Sequence, residues 1–236
     1  MFDFFGKKKD PEVSPGGSVI HRYPLASWSS GRTGIPEETA AQFAEARHAA
    51  YGKIFCDVDQ VFAEPGQTVP RVDVRSYRRK MKAGSFSTLV TSGMSDSPMP
   101  IPRKLEGPAK RVELIFYCSE IKVEHVETLR WVAHFPHDQR TWVGVGHTIP
   151  NGNPPAPFWG SSILDTLLLI PPIITPDQRL PQELTLEGDA VEFLWVVPIS
   201  SAECGLKLAK GWTSIMDLFD KHRHPPVFDP KRPSYV

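Results

Sequence analysis

The sequence predicts an α+β fold, a single domain in which a mixed, mostly antiparallel central sheet is flanked by helices. Three observations carry that prediction. Period-two stretches and helical stripes intermingle without the strict strand–helix alternation of a doubly wound sheet. Two long apolar runs, LLLIPPII (167–174) and VEFLWVVPI (191–199), read as strands covered on both faces. No repeat recurs at a fixed period.

The elements follow in order. Residues 1–34, with SPGGS and SSGRTG, read as a flexible arm, and nothing in them asks for a catalytic role. PEETAAQFAEARHAAYG opens a helix with Pro36 and two glutamates, the chemistry of a first turn. Its apolar face is Ala40, Phe43, Ala44 and Ala50, and Gly52 is the expected stop. RVDVRSYRR (71–79), FSTLVTS (86–92) and RVELIFYC (111–118) are strands, the last with Val112, Leu114 and Phe116 on one side. SGMSDSPMPIPRKLEGPAK is a long loop, of the length that goes with function or mobility. VEHVETLRWVAHF (123–135) is an amphipathic helix with a stripe of Val123, Val126, Leu129, Trp131, Val132 and Phe135, ended by Pro136. ELTLEG is a short strand. SSAECGLKLAKGWTSIMDLFDKH is one or two helices, capped by Ser200 or Ser201 and divided by Gly211. The resulting organisation is an arm at 1–34, a domain at 35–232 and a tail at 233–236.

Composition narrows the function. Lys and Arg together number 27, as do Asp and Glu, so no net field draws the chain to nucleic acid or an anionic membrane. The apolar segment 163–174 holds Asp165 and two prolines and is too short to span a bilayer. MFDFFGKKKD inverts the order of a secretory signal. Cys56, Cys118 and Cys204 are odd in number and form no CxxC, which fits reduced thiols in a cytoplasmic protein. The 24 prolines cluster at segment ends, as rigid turns between short elements require.

HFPHDQRTWVGVGHTIPNGNPP (134–155) concentrates the chemistry. His134 and His137 form HxxH with His147 ten residues on, and Asp138 or Glu127 adds an oxygen, so a zinc-dependent hydrolase is one reading. Yet HExxH is missing, GxSxG is not matched by Trp159-Gly160-Ser161-Ser162, and GVGHT lacks the P-loop lysine. Acidic Asp57 and Asp59 beside Cys56 disfavour a thiolate. The structural alternative covers most of the stretch. Trp142 and Val143 pack a core edge, Gly144 and Gly146 permit close backbone approach, and Asn151-Gly152 makes a turn.

FSTLVTSGMSDSPM (86–99), HFPHDQRTWVGVGHTIPNGNPPAPF (134–158) and KLAKGWTSIMDLFDKH (207–222) together resemble the suppressor of fused domain family in its bacterial form. The resemblance spans about residues 47–232. It implies a single α+β domain that binds another protein, catalyses nothing, needs no cofactor or metal, and brings no catalytic residues with it. Animal members hold a transcription factor in Hedgehog signalling through a second domain. With 236 residues and no room for that domain, a Hedgehog role is not expected of this chain. Bacterial members are regarded as immunity proteins that neutralise toxins, so the expected partner is a specific protein, with a toxin as one form of it. On that reading Met94, Met99, Phe158 and Trp159 are exposed apolar anchors, and Asp96, His147 and Asn151 orient the partner by hydrogen bonds. A structural accessory protein without a discrete site is the third reading, and the proline-rich tail suits it.

Overall fold

The apolar strand VEFLWVVPI takes the central place its composition demands. The computed structural model describes residues 13, 35–66, 68–81, 84–101 and 107–236, so nearly all of the expected arm, and loop residues 102–106, lie outside the described residues. In chain order the elements are α1 (Glu37–Phe55), β1 (Gln60–Phe62), β2 (Asp73–Met81), β3 (Gly84–Ser92), β4 (Arg111–Cys118), α2 (Val123–Gln139), β5 (Thr148–Pro150), β6 (Leu164–Ile170), α3 (Leu180–Glu183), β7 (Thr185–Leu186), β8 (Asp189–Ser200), α4 (Ser201–Lys210) and α5 (Thr213–His222). The sheet runs β1-β2-β3-β4-β8-β6-β5, with β7 pairing onto the start of β8. β4 and β8 pair in parallel, from Arg111 opposite Val191 to Ile115 opposite Trp195. The other pairings are antiparallel. The predicted mixed, mostly antiparallel α+β sheet is therefore what forms.

Alternation along the central strands builds two cores. Val191, Phe193, Trp195, Val197 and Ile199 of β8 face one side with residues of α1, α4 and α5. Leu194 and Val196 face the other side with Val126, Leu129, Val132 and Ala133 of α2. β4 divides the same way, with Val112, Leu114 and Phe116 toward α2 and Ile115 and Tyr117 toward the opposite layer. Burial on both faces explains why these strands carry near-continuous apolar sequence.

Three helix expectations are corrected. α1 continues through Gly52 to Phe55, because Ile54 and Phe55 are buried and Phe55 packs on Tyr77 at 4.8 Å between ring centroids. That burial outweighs the roughly 1 kcal/mol helix penalty of an interior glycine. α2 likewise runs past Pro136 to Gln139, where left-handed Arg140 ends it and donates its N–H to Pro136 O. One missing N–H in the last turn removes a single bond, and Pro136 and His137 are both buried. The buried stripe of α2 also includes His125 and Ala133, whereas Val123 is 65% and Trp131 41% exposed. At the other end, Ser200 caps α4 as expected. Its hydroxyl accepts from Glu203 N at 3.2 Å, while Glu203 Oε2 accepts from Ser200 N at 2.7 Å. Gly211 separates α4 from α5.

Gly146 is the close approach that the GVG stretch implied. A Cβ there would lie 2.7 Å from Trp212 Cδ1, and its φ is +81°; nothing lies within 4 Å of a Cβ on Gly144. Gly146→Ala is expected to cost about 2 kcal/mol or more, and Gly144→Ala less than about 1 kcal/mol. Urea denaturation of the two variants checks this difference.

Candidate partner-binding surface

The TSGMSD segment is shaped from below by one buried carboxylate. Glu113, fully buried in β4, accepts Thr91 Oγ1 at 2.6 Å, Gly93 N at 2.9 Å, Ser95 N at 3.1 Å and Ser95 Oγ at 2.6 Å. These bonds curl residues Met94–Asp96 into a 3-10 turn directly after β3. Gly93 is required here, since its φ is +130° and a Cβ would sit 1.9 Å from Arg71 O. Arg111, buried beside Glu113 on β4, donates to Ser95 O at 2.7 Å and Asp96 O at 3.0 Å and pairs with Glu187. From α1, Arg47 pairs with the Asp96 carboxylate and donates to Ser92 Oγ at 3.1 Å, and Tyr51 OH donates to Thr91 O at 2.8 Å.

This arrangement corrects the expected exposure of the segment. Met94 and Met99 lie in the α2-side core and expose 1% and 4%, so they are not surface anchors. Phe158, at 4%, belongs to the same core and is corrected likewise. Asp96 keeps 12% side-chain exposure and faces Arg47. Burial pushes its carboxyl up to about 6, against the pull of Arg47. Trp159 is partly buried and donates from Nε1 to Thr128 Oγ1 at 3.2 Å.

The GHTIPNG segment lies elsewhere, at the end of the sheet. Gly146 N donates to Leu169 O at 2.7 Å and His147 O accepts Leu169 N at 3.0 Å, which leads the chain into β5. β5 pairs with β6 on one side and closes the strand order on the other. Ile149 turns into the core, while His147 and Asn151 stay partly exposed. Asn151 Nδ2 donates to Ala156 O at 2.8 Å, and Asn151 O accepts Ala156 N at 2.7 Å, closing the predicted turn. Exposed Val145 lies just before this strand and exposed Ile163 just before β6, each at 39%. The opposite sheet edge is treated differently. There Arg130 Nη2 caps the β1 end by donating to Phe62 O at 2.7 Å and Ala63 O at 2.9 Å.

Of the seven candidate residues, the structure places His147 and Asn151 at the β5 edge and Asp96 away from that edge, on the turn that follows interior strand β3. Trp159 instead joins an aromatic cluster around buried His125, with centroids 4.8 Å from His125 and Phe116 and 5.3 Å from Phe228. The zinc reading also fails on geometry. His134 pairs with Glu64 at 2.7 Å, and among the described residues no group of three His, Cys, Asp or Glu side chains stands close enough to hold a metal ion. The sequence reading missed Glu113, Arg111 and Arg47. Two charges inside the apolar strand RVELIFYC were the available signal. It also missed Asp177, fully buried, which accepts Arg79 Nη1 at 2.6 Å and Tyr117 OH at 2.6 Å.

Glu113→Ala is expected to lower stability by about 3–5 kcal/mol, because it leaves the Gly93 and Ser95 N–H groups and the Thr91 and Ser95 hydroxyls buried without their acceptor. Equilibrium urea unfolding measures it. Acid is a second test. Burial, reinforced by Lys122, lowers the His125 imidazole to about 4. The folded state then holds fewer protons than the unfolded state between pH 6.5 and 4, so His125 destabilises the fold as pH falls through that window, by up to about 3 kcal/mol. Asp96, raised above its unfolded value, works in the opposite direction below pH 6. His125→Phe should flatten the acid limb of a Tm-against-pH curve; an unchanged limb would refute the assignment.

The comparisons with known proteins bear on this fold and its motifs. The profile of the Suppressor of fused protein (SUFU) family matches residues 68–233. A suppressor of fused homologue of Neisseria gonorrhoeae, solved by crystallography, superposes with a TM-score of 0.63 at 18% identity, covering 83% of this chain and 98% of that one. A chain of the Sufu–Fu complex gives 0.57 at 11% identity, covering 82% of this chain and 92% of that one. Drosophila Suppressor of Fused gives 0.51 at 12%, covering 72% of this chain but 44% of that protein, so this chain spans less than half its length. Among curated proteins none matches. At these identities the solved structures establish the shared fold, and the profile match over most of the sequence establishes the lineage: the chain belongs to the suppressor of fused family.

Proposed function

We propose that this chain is a cytoplasmic, non-enzymatic protein-binding module of the immunity type, which holds and neutralises a specific partner such as a toxin. The observation that carries the reading is the β5 edge. There a family segment, GHTIPNG, forms a three-residue terminal strand with a turn fixed by Asn151. A short strand that ends the strand order is a place where an extended partner segment can add, and exposed Val145 and Ile163, before β5 and β6, offer apolar contact. Family membership supports protein binding, since one solved relative is a Sufu–Fu complex. Buried Cys118 and Cys204 support a reducing compartment, and burial pushes the Cys118 thiol up to about 12. No described helix is long and apolar enough to cross a membrane.

His147 and Asn151 remain in the proposed surface with the exposed pair beside them. Asp96, paired with Arg47 on the turn after β3, stands outside the proposed surface. Trp159 is a support for the turn rather than an anchor.

The test is capture of a stoichiometric partner from the source cell, identified by mass spectrometry. Val145→Glu with Ile163→Glu should weaken its binding roughly tenfold or more while leaving Tm within a few degrees. Expressing the captured partner alone should arrest growth, and adding this chain should restore it. Partner binding indifferent to the β5 edge would overturn the surface, and a harmless partner would overturn the immunity role.

A further inference from the structure

β4 and β8 stop pairing before either strand ends. The parallel register covers Arg111–Ile115 against Val191–Trp195, yet β4 continues to Cys118 and β8 to Ser200. The wedge between their diverging ends is filled by residues 224–236. Phe228 N donates to Tyr117 O at 2.9 Å, and Phe228 forms an isolated parallel bridge with Cys118. On the β8 side, Arg232 Nη2 donates to Pro198 O at 2.9 Å, in the part of β8 that has left β4 but still pairs with β6. A small cavity lies beneath, lined by Phe116, Trp195 and Val197 from the strands and His224, Phe228 and Arg232 from the segment.

The segment is held along its length: His224 stacks on Phe219 at 3.9 Å between ring centroids, and Ser234 Oγ lies 2.8 Å from Ser200 Oγ. Glu203, fully buried on α4, accepts Arg232 Nη1 and Nη2 at 2.8 Å each and Tyr235 N at 3.1 Å. Arg232 lies over the Tyr235 ring at 4.7 Å, and the Phe228 ring enters the His125–Trp159 cluster. The contacts that reach the wedge itself are those a bound peptide makes: a main-chain bond at Phe228, an aromatic pocket around its ring and the buried Arg232–Glu203 pair. Left-handed Arg223, followed by Pro225 and Pro226, separates it from α5 as a short rigid hinge.

We propose that the β4–β8 wedge is a seat for an extended segment, occupied in cis by residues 224–236, and that it accepts in trans a peptide carrying an aromatic residue, an arginine four residues on and a second aromatic three further. The occupant is a segment of this pattern, Phe228, Arg232 and Tyr235 in this chain. The seat is separate from the β5 edge and does not depend on the partner proposed for that edge.

The test uses the full chain with Arg232→Ala and a fluorescein-labelled peptide of residues 224–236. Because Arg232→Ala leaves Glu203 unpaired, Glu203→Gln with Arg232→Met serves as a second variant that retains an acceptor for the α4 cap. Hydrogen exchange should show the segment opening at least roughly tenfold faster in the variants while β4 and β8 keep their protection. The labelled peptide should bind the Arg232→Ala chain, which keeps Glu203, saturably and the wild type weakly, and a peptide with Phe228→Ala should not bind. Loss of protection across β4 and β8 together, or unfolding of both variants, would show that the segment is inseparable from the core and overturn the proposal. So would an opened segment whose seat ignores the peptide.

Discussion

Glu113 is the constraint on which the recognisable part of this molecule depends. A carboxylate placed at the centre of a doubly covered sheet must be fully hydrogen-bonded, or it costs several kcal/mol. The chain meets that demand by curling TSGMSD around it, with Gly93 bringing its own N–H close in a conformation closed to other residues. Arg111 then binds the carbonyls the turn leaves over, and Arg47 brings α1 down onto Asp96. A segment that reads as an exposed recognition loop is thereby a buried polar joint between α1, β3 and β4. Specific sequence at such a joint follows from satisfying buried charge and needs no ligand.

The sheet was legible from the sequence because its strands obey simple periodicities. RVELIFYC coincides with β4, and VEFLWVVPI falls within central β8. The α4 cap and the Gly211 break were legible for the same reason, since local chemistry decides them. Helix ends at Gly52 and Pro136 were not, because tertiary burial of Phe55 and His137 outweighs the local breakers. The candidate surface was half legible. His147 and Asn151 are where an edge and a turn place them, whereas Met94, Met99 and Phe158 went inward. Apolar residues in a loop rich in proline and glycine carry no sign of which way the loop folds. Only the partners of Glu113 and the α2 face decide it.

The two ends of the sheet show how one fold manages its open edges. On the β1 side, Arg130 takes the Phe62 and Ala63 carbonyls where that strand ends. The β5 end is kept short and finished by Pro150 and the Asn151 turn, which limits indiscriminate pairing while leaving His147 and its neighbours accessible. Asymmetry of this kind suits a module that binds one partner at one edge. Of the two segments TSGMSD and GHTIPNG, the first packs around Glu113 and the second reaches the β5 edge.

The most direct measurement is amide hydrogen exchange on the chain alone and with its captured partner. The account predicts added protection over residues 145–163 and little change over 88–96, where Glu113 already protects the amides. New protection centred on Met94–Asp96, with the β5 edge unchanged, would contradict it.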